Sequence, residues 1–152
     1  MKQQSLFEAD TNQEFIARVN QLNVNSKALW GKMNVAQMLV HCQKPFDVAS
    51  GKLNPKPNQL IKFLFGKMAK RSFMKNQSFK KNLPTFNEAR VHYQPDFETE
   101  KKKLILTIEN FKIHNVIGLT KIDHPFFGRL SVGEWDNLMV IHLNHHLEQF
   151  GV

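Results

Sequence analysis

Two short signatures do most to limit what this chain can become. Asn34 is followed three residues later by Gln37, and Ser131 by Glu134, each just ahead of a long stretch with apolar residues at steps of three and four. In such a pair the first side chain accepts the backbone N–H three residues on, while the second reaches back to the first residue's own N–H. Each pair therefore marks a helix start, for "VAQMLVHCQKPFDVAS" and for "VGEWDNLMVIHLNHHLEQF". Helices that begin this way and carry one apolar face can only bury that face against each other.

The rest of the chain reads the same way. Asp10 or Thr11 caps a first helix, "TNQEFIARVNQL", with Phe15, Val19 and Leu22 at helical spacing. The helix after Asn34 carries Met38, His41, Pro45 and Val48 on one stripe and stops at Gly51. Pro45 cannot donate to the His41 carbonyl, so a kink is expected one turn beyond that histidine. A third helix is expected over Leu60–Met74, after the two-proline loop "KLNPKPNQ". Asp96 caps "FETEKKKLILTIENFKI", whose Leu104, Ile108 and Phe111 form a core stripe. The stretch 76–95 is irregular, and "IGLTKIDHPFFGRL" (117–130) reads as loop. The expectation is an all-α four-helix bundle with long connections and room for a short extra helix, one domain over 1–152.

Composition narrows the function classes. No run of about 18 apolar residues exists, so no membrane-spanning helix is expected. "MKQQSLFEADTNQEF" lacks the apolar core of a secretion signal, and a cytoplasmic protein is expected. The lone Cys42 excludes an internal disulfide and any cysteine-only metal site. A net charge of +8 invites a nucleic-acid reading. Much of the excess lies in 61–81, where Phe63, Phe65, Phe73 and Phe79 alternate with lysines from Lys62 to Lys81, and in "EKKKL" at 100–104. A helix that buries Phe and Met and solvates its lysines accounts for the first pattern better than base stacking or an anionic membrane surface does. No nucleic-acid module signature accompanies it, so nucleic-acid binding ranks last.

The histidines are more telling. Three of the seven, His142, His145 and His146, fall within five residues of the last helix. Residues four apart differ by about 40° around a helix and by about 6 Å along it, so the rings of His142 and His146 can converge. Their face also carries Trp135, Met139 and Phe150, the stripe expected to be buried, with His145 on its edge. A buried neutral imidazole must satisfy one donor and one acceptor. Hydrogen bonds to neighbouring carbonyls, or partial exposure at the bundle's end, would do so; a shared cation is the competing arrangement. The spacing matches the helical His-x-x-x-His of zinc proteases, but Leu143 stands where their glutamate would be. A bundle site needs a third ligand from another helix, and His41, mid-helix on its stripe, is the best candidate. His92, His114 and His124 fall in loops or at helix ends, His124 being the most plausible of these.

"WGKMNVAQMLVHC" (30–42) followed far downstream by "HLNHHLEQFG" (142–151) resembles the DinB-like superfamily. "KKNLP" (80–84), "HPFFGRLS" (124–131) and "HHLEQFGV" resemble a short uncharacterised branch of it. The resemblance runs from Trp30 to Val152. It implies a four-helix bundle holding a divalent metal on three histidines, which by position are His41, His142 and His146. Better-understood relatives are transferases and isomerases that use low-molecular-weight thiols, and others are described only as metal-dependent hydrolases.

Three neutral imidazoles leave a coordination position open, the layout of a catalytic metal. Zinc is the expected ion, with nickel, iron and manganese as alternatives. Such an ion would activate water or a thiol. Trp30, Met38, His124, Trp135, Met139 and His145 are candidate pocket residues. Asp47, Glu134 and Glu148 are the carboxylates nearby by helix position, but Glu134 is a capping residue and Glu148 faces solvent, so no general base stands out. Cys42 points about 100° from His41 and is expected to pack between helices. The expected function is a metal-dependent hydrolase or thiol transferase acting on a small molecule. The alternative is a non-catalytic metal- or ligand-binding bundle, and a homodimer through a helix face is compatible with either.

Overall fold

The computed structural model describes residues 4–56, 70, 78–83, 85–114 and 123–152. Four helices account for most of them: α1 (Ala9–Gln21), α2 (Val35–Ala49), α3 (Phe97–His114) and α4 (Val132–Gln149). The structure is an all-α four-helix bundle. α2 lies against α3 and α4, and α1 packs against the same two. The third helix expected over Leu60–Met74 lies outside the described residues apart from Lys70, which is helical. Most of the basic segment 61–81 lies outside them as well.

Both capping boxes form. Gln37 N–H donates to Asn34 Oδ1 at 2.9 Å, and Asn34 N–H to Gln37 Oε1 at 3.1 Å. At α4, Glu134 N–H donates to Ser131 Oγ at 3.3 Å and Ser131 N–H to Glu134 Oε2 at 2.8 Å. α2 then runs through Pro45 as a single element. α4 ends in a Schellman motif: Val152 N–H reaches the Leu147 carbonyl and Gly151 N–H the Glu148 carbonyl, each at 3.1 Å. The motif needs a left-handed residue, and Gly151 supplies it with φ +76°.

Two expectations are corrected. The N-cap of α1 is Glu8, in extended conformation and making no side-chain cap bond. Asp10 and Thr11 lie inside the first turn, where a carboxylate opposes the positive end of the helix dipole without capping it. The second correction falls in the stretch 117–130. Asp123–His124 and Gly128–Arg129 there form a two-residue antiparallel hairpin, Asp123 opposite Arg129 and His124 opposite Gly128. His124 Nδ1 accepts the N–H groups of both Phe126 and Phe127 at 3.2 Å, which closes the turn.

The core is built from the expected stripes. Phe15, Val19, Leu104, Ile108, Trp135, Met139, Leu143 and Leu147 are fully buried. Phe111 stacks on Phe7 at 5.2 Å and meets Phe46 edge-on at 5.1 Å. Burying one such ring is worth about 1.5–3 kcal/mol. A few polar contacts fix how the helices meet. Asn12 Nδ2 donates to the carbonyls of Leu6 and Ile108, tying α1 to α3. Asp136 accepts the Leu6 N–H at 2.9 Å. Arg18 donates to Asn144 Oδ1 and to the Val152 carbonyl, tying α1 to the end of α4. Lys101 of α3 donates to the carbonyls of Asn20 and Leu22, which α1 leaves open at its C-terminus.

Candidate metal centre

α2 presents His41 and α4 presents His142 and His146 to the same point between the helices. One ring nitrogen from each lies within 4.8 Å of the other two. His41 Nε2 and His142 Nε2 are 3.2 Å apart. The His41 ring centroid lies 5.0 Å from that of His142 and 4.7 Å from that of His146, and the latter two are 4.6 Å apart. Two imidazole nitrogens bound at about 2.0–2.1 Å to one ion stand about 3.0 Å apart in an octahedral site and about 3.4 Å apart in a tetrahedral one. The His41–His142 separation falls between these values. The remaining pairs lie within 4.8 Å of one another.

The tautomers follow from the partners. His41 Nδ1 lies 2.9 Å from the Ala89 carbonyl, which can only accept, so this nitrogen carries the proton and Nε2 keeps its lone pair. Ala89 belongs to a 3-10 turn, Asn87–Ala89, and is itself buried. Gln37, already in the capping box of α2, donates its Nε2 to the carbonyls of Val91 and Tyr93. The segment carrying the Ala89 carbonyl is thereby pinned to the helix carrying His41. His146 is held by a side chain instead. Gln149 Nε2 donates to the Trp30 carbonyl at 2.6 Å, which turns Oε1 toward His146 Nδ1, 2.8 Å away. His146 therefore also carries its proton on Nδ1, and its Nε2 is free to bind. Leu29 N–H donates to the Gln149 carbonyl at 2.7 Å, so the loop and the end of α4 are clamped twice. Gly31 makes this possible: a Cβ there would lie 2.5 Å from Gln149 Nε2, and its φ is +83°.

His142 is the exception. Its Nδ1 is buried and has no partner among the described residues. With the Nε2 proton shared toward His41, Nδ1 would be a buried acceptor without a donor. With the proton on Nδ1, two lone pairs would face each other at 3.2 Å. A cation between the nitrogens removes that repulsion, so the donor set fits a divalent metal. The charge state fits too. Burial lowers the pKa of His41, and Lys44 and His145 lower it further against the opposing Ala89 bond. His142 is pushed well below the ordinary range by burial and by its histidine neighbours. His146 falls to about 3, by burial and then by His41. All three rings are thereby neutral at pH 7. Among the described residues no carboxylate acts on these rings; Glu148 acts on His145.

The other candidates divide. His145 is half-buried beside the trio, 5.0 Å from His146 and edge-on to Trp30 at 5.7 Å. Met38, Trp135 and Met139 belong to the fully buried core. His124 stacks on Phe127 at 4.6 Å and meets Trp135 at 5.5 Å, and burial lowers its pKa to about 3. Its Nδ1 is taken by the hairpin turn, so its role is to close that turn. Cys42 is buried, its pKa raised by burial, and its thiol donates to Met38 Sδ at 3.4 Å. Glu148 is exposed and accepts from Asn144. Glu134 is the capping residue and pairs with Lys70 at 2.8 Å. Asp47 is half-buried, which raises its pKa. His92 is exposed. The side chain of His114 lies outside the described residues.

Sequence reading missed Ala89, Gln149 and Phe79. Gln149 lies three residues beyond His146, a spacing that could have marked it as that ring's neighbour. Phe79, edge-on to His142 at 6.0 Å and His145 at 5.9 Å, carries no such mark.

The chain belongs to the family described as "Protein of unknown function (DUF1569)", whose profile matches residues 1–151. No curated protein and no solved structure matches it. Among the described residues no helix is long and apolar enough to cross a membrane.

Proposed function

We propose that His41, His142 and His146 hold a divalent cation, zinc being the first choice, and that the chain is a metal-dependent enzyme of the DinB-like type. The observation that carries this reading is the convergence of three ring nitrogens, two of them prepared as lone-pair donors by fixed Nδ1–H bonds. A histidine that binds a metal characteristically donates its other ring N–H to a carbonyl, carboxylate or water. His41 does so to Ala89 and His146 to Gln149.

Held there, a divalent ion with open positions supplies Lewis acidity, which brings the pKa of water or of a thiol toward neutrality. The chain's own residues do the rest. Ala89 and Gln149 hold two rings in place. Phe79, Trp30 and His145 shape the approach, and the buried core beneath keeps bulk water out. Hydrolysis of a small molecule and transfer of a low-molecular-weight thiol both draw on this arrangement. A non-catalytic ligand-binding bundle is the second reading, favoured by the lack of any carboxylate acting on the trio among the described residues.

The test is elemental analysis of protein purified without an affinity tag, then zinc back-titration of chelated protein and turnover assays with and without thiols. About one ion per chain in the wild type, lost in the alanine variants of His41, His142 and His146 while helicity stays, supports the site. Turnover separates the enzyme from the binding bundle. Stoichiometric metal retained in all three variants would refute the three-histidine site and the enzyme built on it.

A further inference from the structure

The histidine trio is closed on one side and open on the other. His41 and His146 are buried, whereas His142, His145, Trp30 and Phe79 are each partly exposed and Lys81 is exposed. These last residues meet one another. Phe79 is edge-on to His142 and His145, His145 is edge-on to Trp30, and Lys81 Nζ lies 4.1 Å over the Trp30 ring. Phe79 and Lys81 are two apart in a non-helical stretch, Phe79 against the histidines of α4 and Lys81 against Trp30. The opening is therefore an aromatic collar with an ammonium group on its rim.

Lys81 stands on the rim over Trp30, and Lys44 follows His41 by three residues on α2. Glu148, the carboxylate acting on the collar, is bonded to Asn144 at 2.8 Å. Trp30 adds a donor: its Nε1 is buried and has no partner among the described residues. A neutral three-imidazole set leaves the charge of a bound divalent ion uncompensated, so ion, ammonium and indole N–H would all favour negative oxygen.

We infer that the opening receives an oxyanion, a carboxylate or phosphate borne by a small molecule, with Lys81 as its counter-ion and the Trp30 ring as the platform that positions Lys81. The inference rests on the metal reading for the inner end of the ligand and on Lys81 and Trp30 for the outer end. It narrows the substrate class to anionic small molecules.

The experiment uses cobalt-loaded protein titrated separately with inorganic phosphate and with acetate, read by the visible cobalt bands and by the Trp30 indole N–H resonance. Losing a charge-assisted hydrogen bond weakens binding by about tenfold or more, so Lys81→Ala should show that loss and leave cobalt affinity unchanged. Lys81→Arg should restore binding. Lys102→Ala, which removes an exposed lysine on α3, should leave it unchanged. The anion that shows the Lys81 dependence identifies its source. Equal anion affinity in Lys81→Ala and wild type would overturn the inference, as would an equal loss in Lys102→Ala. If the wild type takes up no cobalt, the metal reading fails and the indole resonance of metal-free protein decides the outer end. A Lys81-dependent shift on adding either anion then sustains it, and a shift independent of Lys81, or none, overturns it.

Discussion

Replacing Gly31 by alanine would place a Cβ 2.5 Å from Gln149 Nε2, almost an ångström inside the 3.4 Å at which ordinary contact begins. The backbone cannot relieve this easily, because φ at Gly31 is +83° and a left-handed conformation costs a residue with a Cβ about 1–2 kcal/mol. The cheaper response is for the Gln149 side chain to swing away. That breaks its 2.6 Å bond to the Trp30 carbonyl and its 2.8 Å bond to His146 Nδ1 together. His146 then loses the acceptor that keeps its proton off the binding nitrogen. Loss of such an outer partner weakens metal binding by about 10- to 100-fold. The assay is competition with a chelator of known affinity, run on wild type, Gly31→Ala, Gln149→Ala and the double variant. Both single variants should fall in that range, and the double should be little worse than Gln149→Ala, since both act through one amide. Wild-type affinity in both single variants, or full additivity in the double, would refute the relay.

Other consequences can be checked separately. His124 is buried and neutral with a pKa of about 3 against an ordinary 6.5, so the unfolded chain binds the proton first. Its contribution is complete above about pH 6.5 and fades as pH falls toward 3. His124→Asn, whose Oδ1 can accept the same two amides, should remove one proton's worth of slope, about 1.4 kcal/mol per pH unit between pH 4 and 6 in urea unfolding. An unchanged slope would contradict it. Because His146 is also lowered to about 3, metal binding should persist below pH 6.5, where a free imidazole is already half protonated. Binding lost with a midpoint at or above 6.5 would be the wrong outcome. Lys101→Met should destabilise the bundle by about 1 kcal/mol, by opening the carbonyls of Asn20 and Leu22, and leave metal affinity alone. Unaltered urea midpoints would count against that role. Asn12→Ala should cost about 1–3 kcal/mol by stripping a donor from the carbonyls of Leu6 and Ile108, with near-wild-type stability the contrary result.

What the sequence made legible follows from how local each signal is. The capping boxes at Asn34 and Ser131 are complete within four residues, and both form as read. His142 and His146 share a face because helix geometry alone puts them there, and His41 is reachable from its own stripe. The N-terminus of α1 was harder. Several consecutive polar residues can each cap, and the chain enters the helix at Glu8, ahead of Asp10 and Thr11. The hairpin at 123–129 has strands of only two residues, too short for any alternation to show. It is held by the His124 ring accepting two amides, a contact without a sequence signature. Ala89 is the plainest case. It serves His41 through its backbone carbonyl across 48 positions, and its side chain gives no sign of that role.

Direct observation of the imidazole nitrogens during a zinc titration bears hardest on the account. Long-range proton–nitrogen spectra of the 15N-labelled, metal-free protein should show His41 and His146 protonated on Nδ1 from the start. At one equivalent of zinc, the Nε2 signals of His41, His142 and His146 should move together, with Nδ1 of the first two unchanged. Signals that stay in place while zinc binds elsewhere, or a different set of histidines responding, would contradict it.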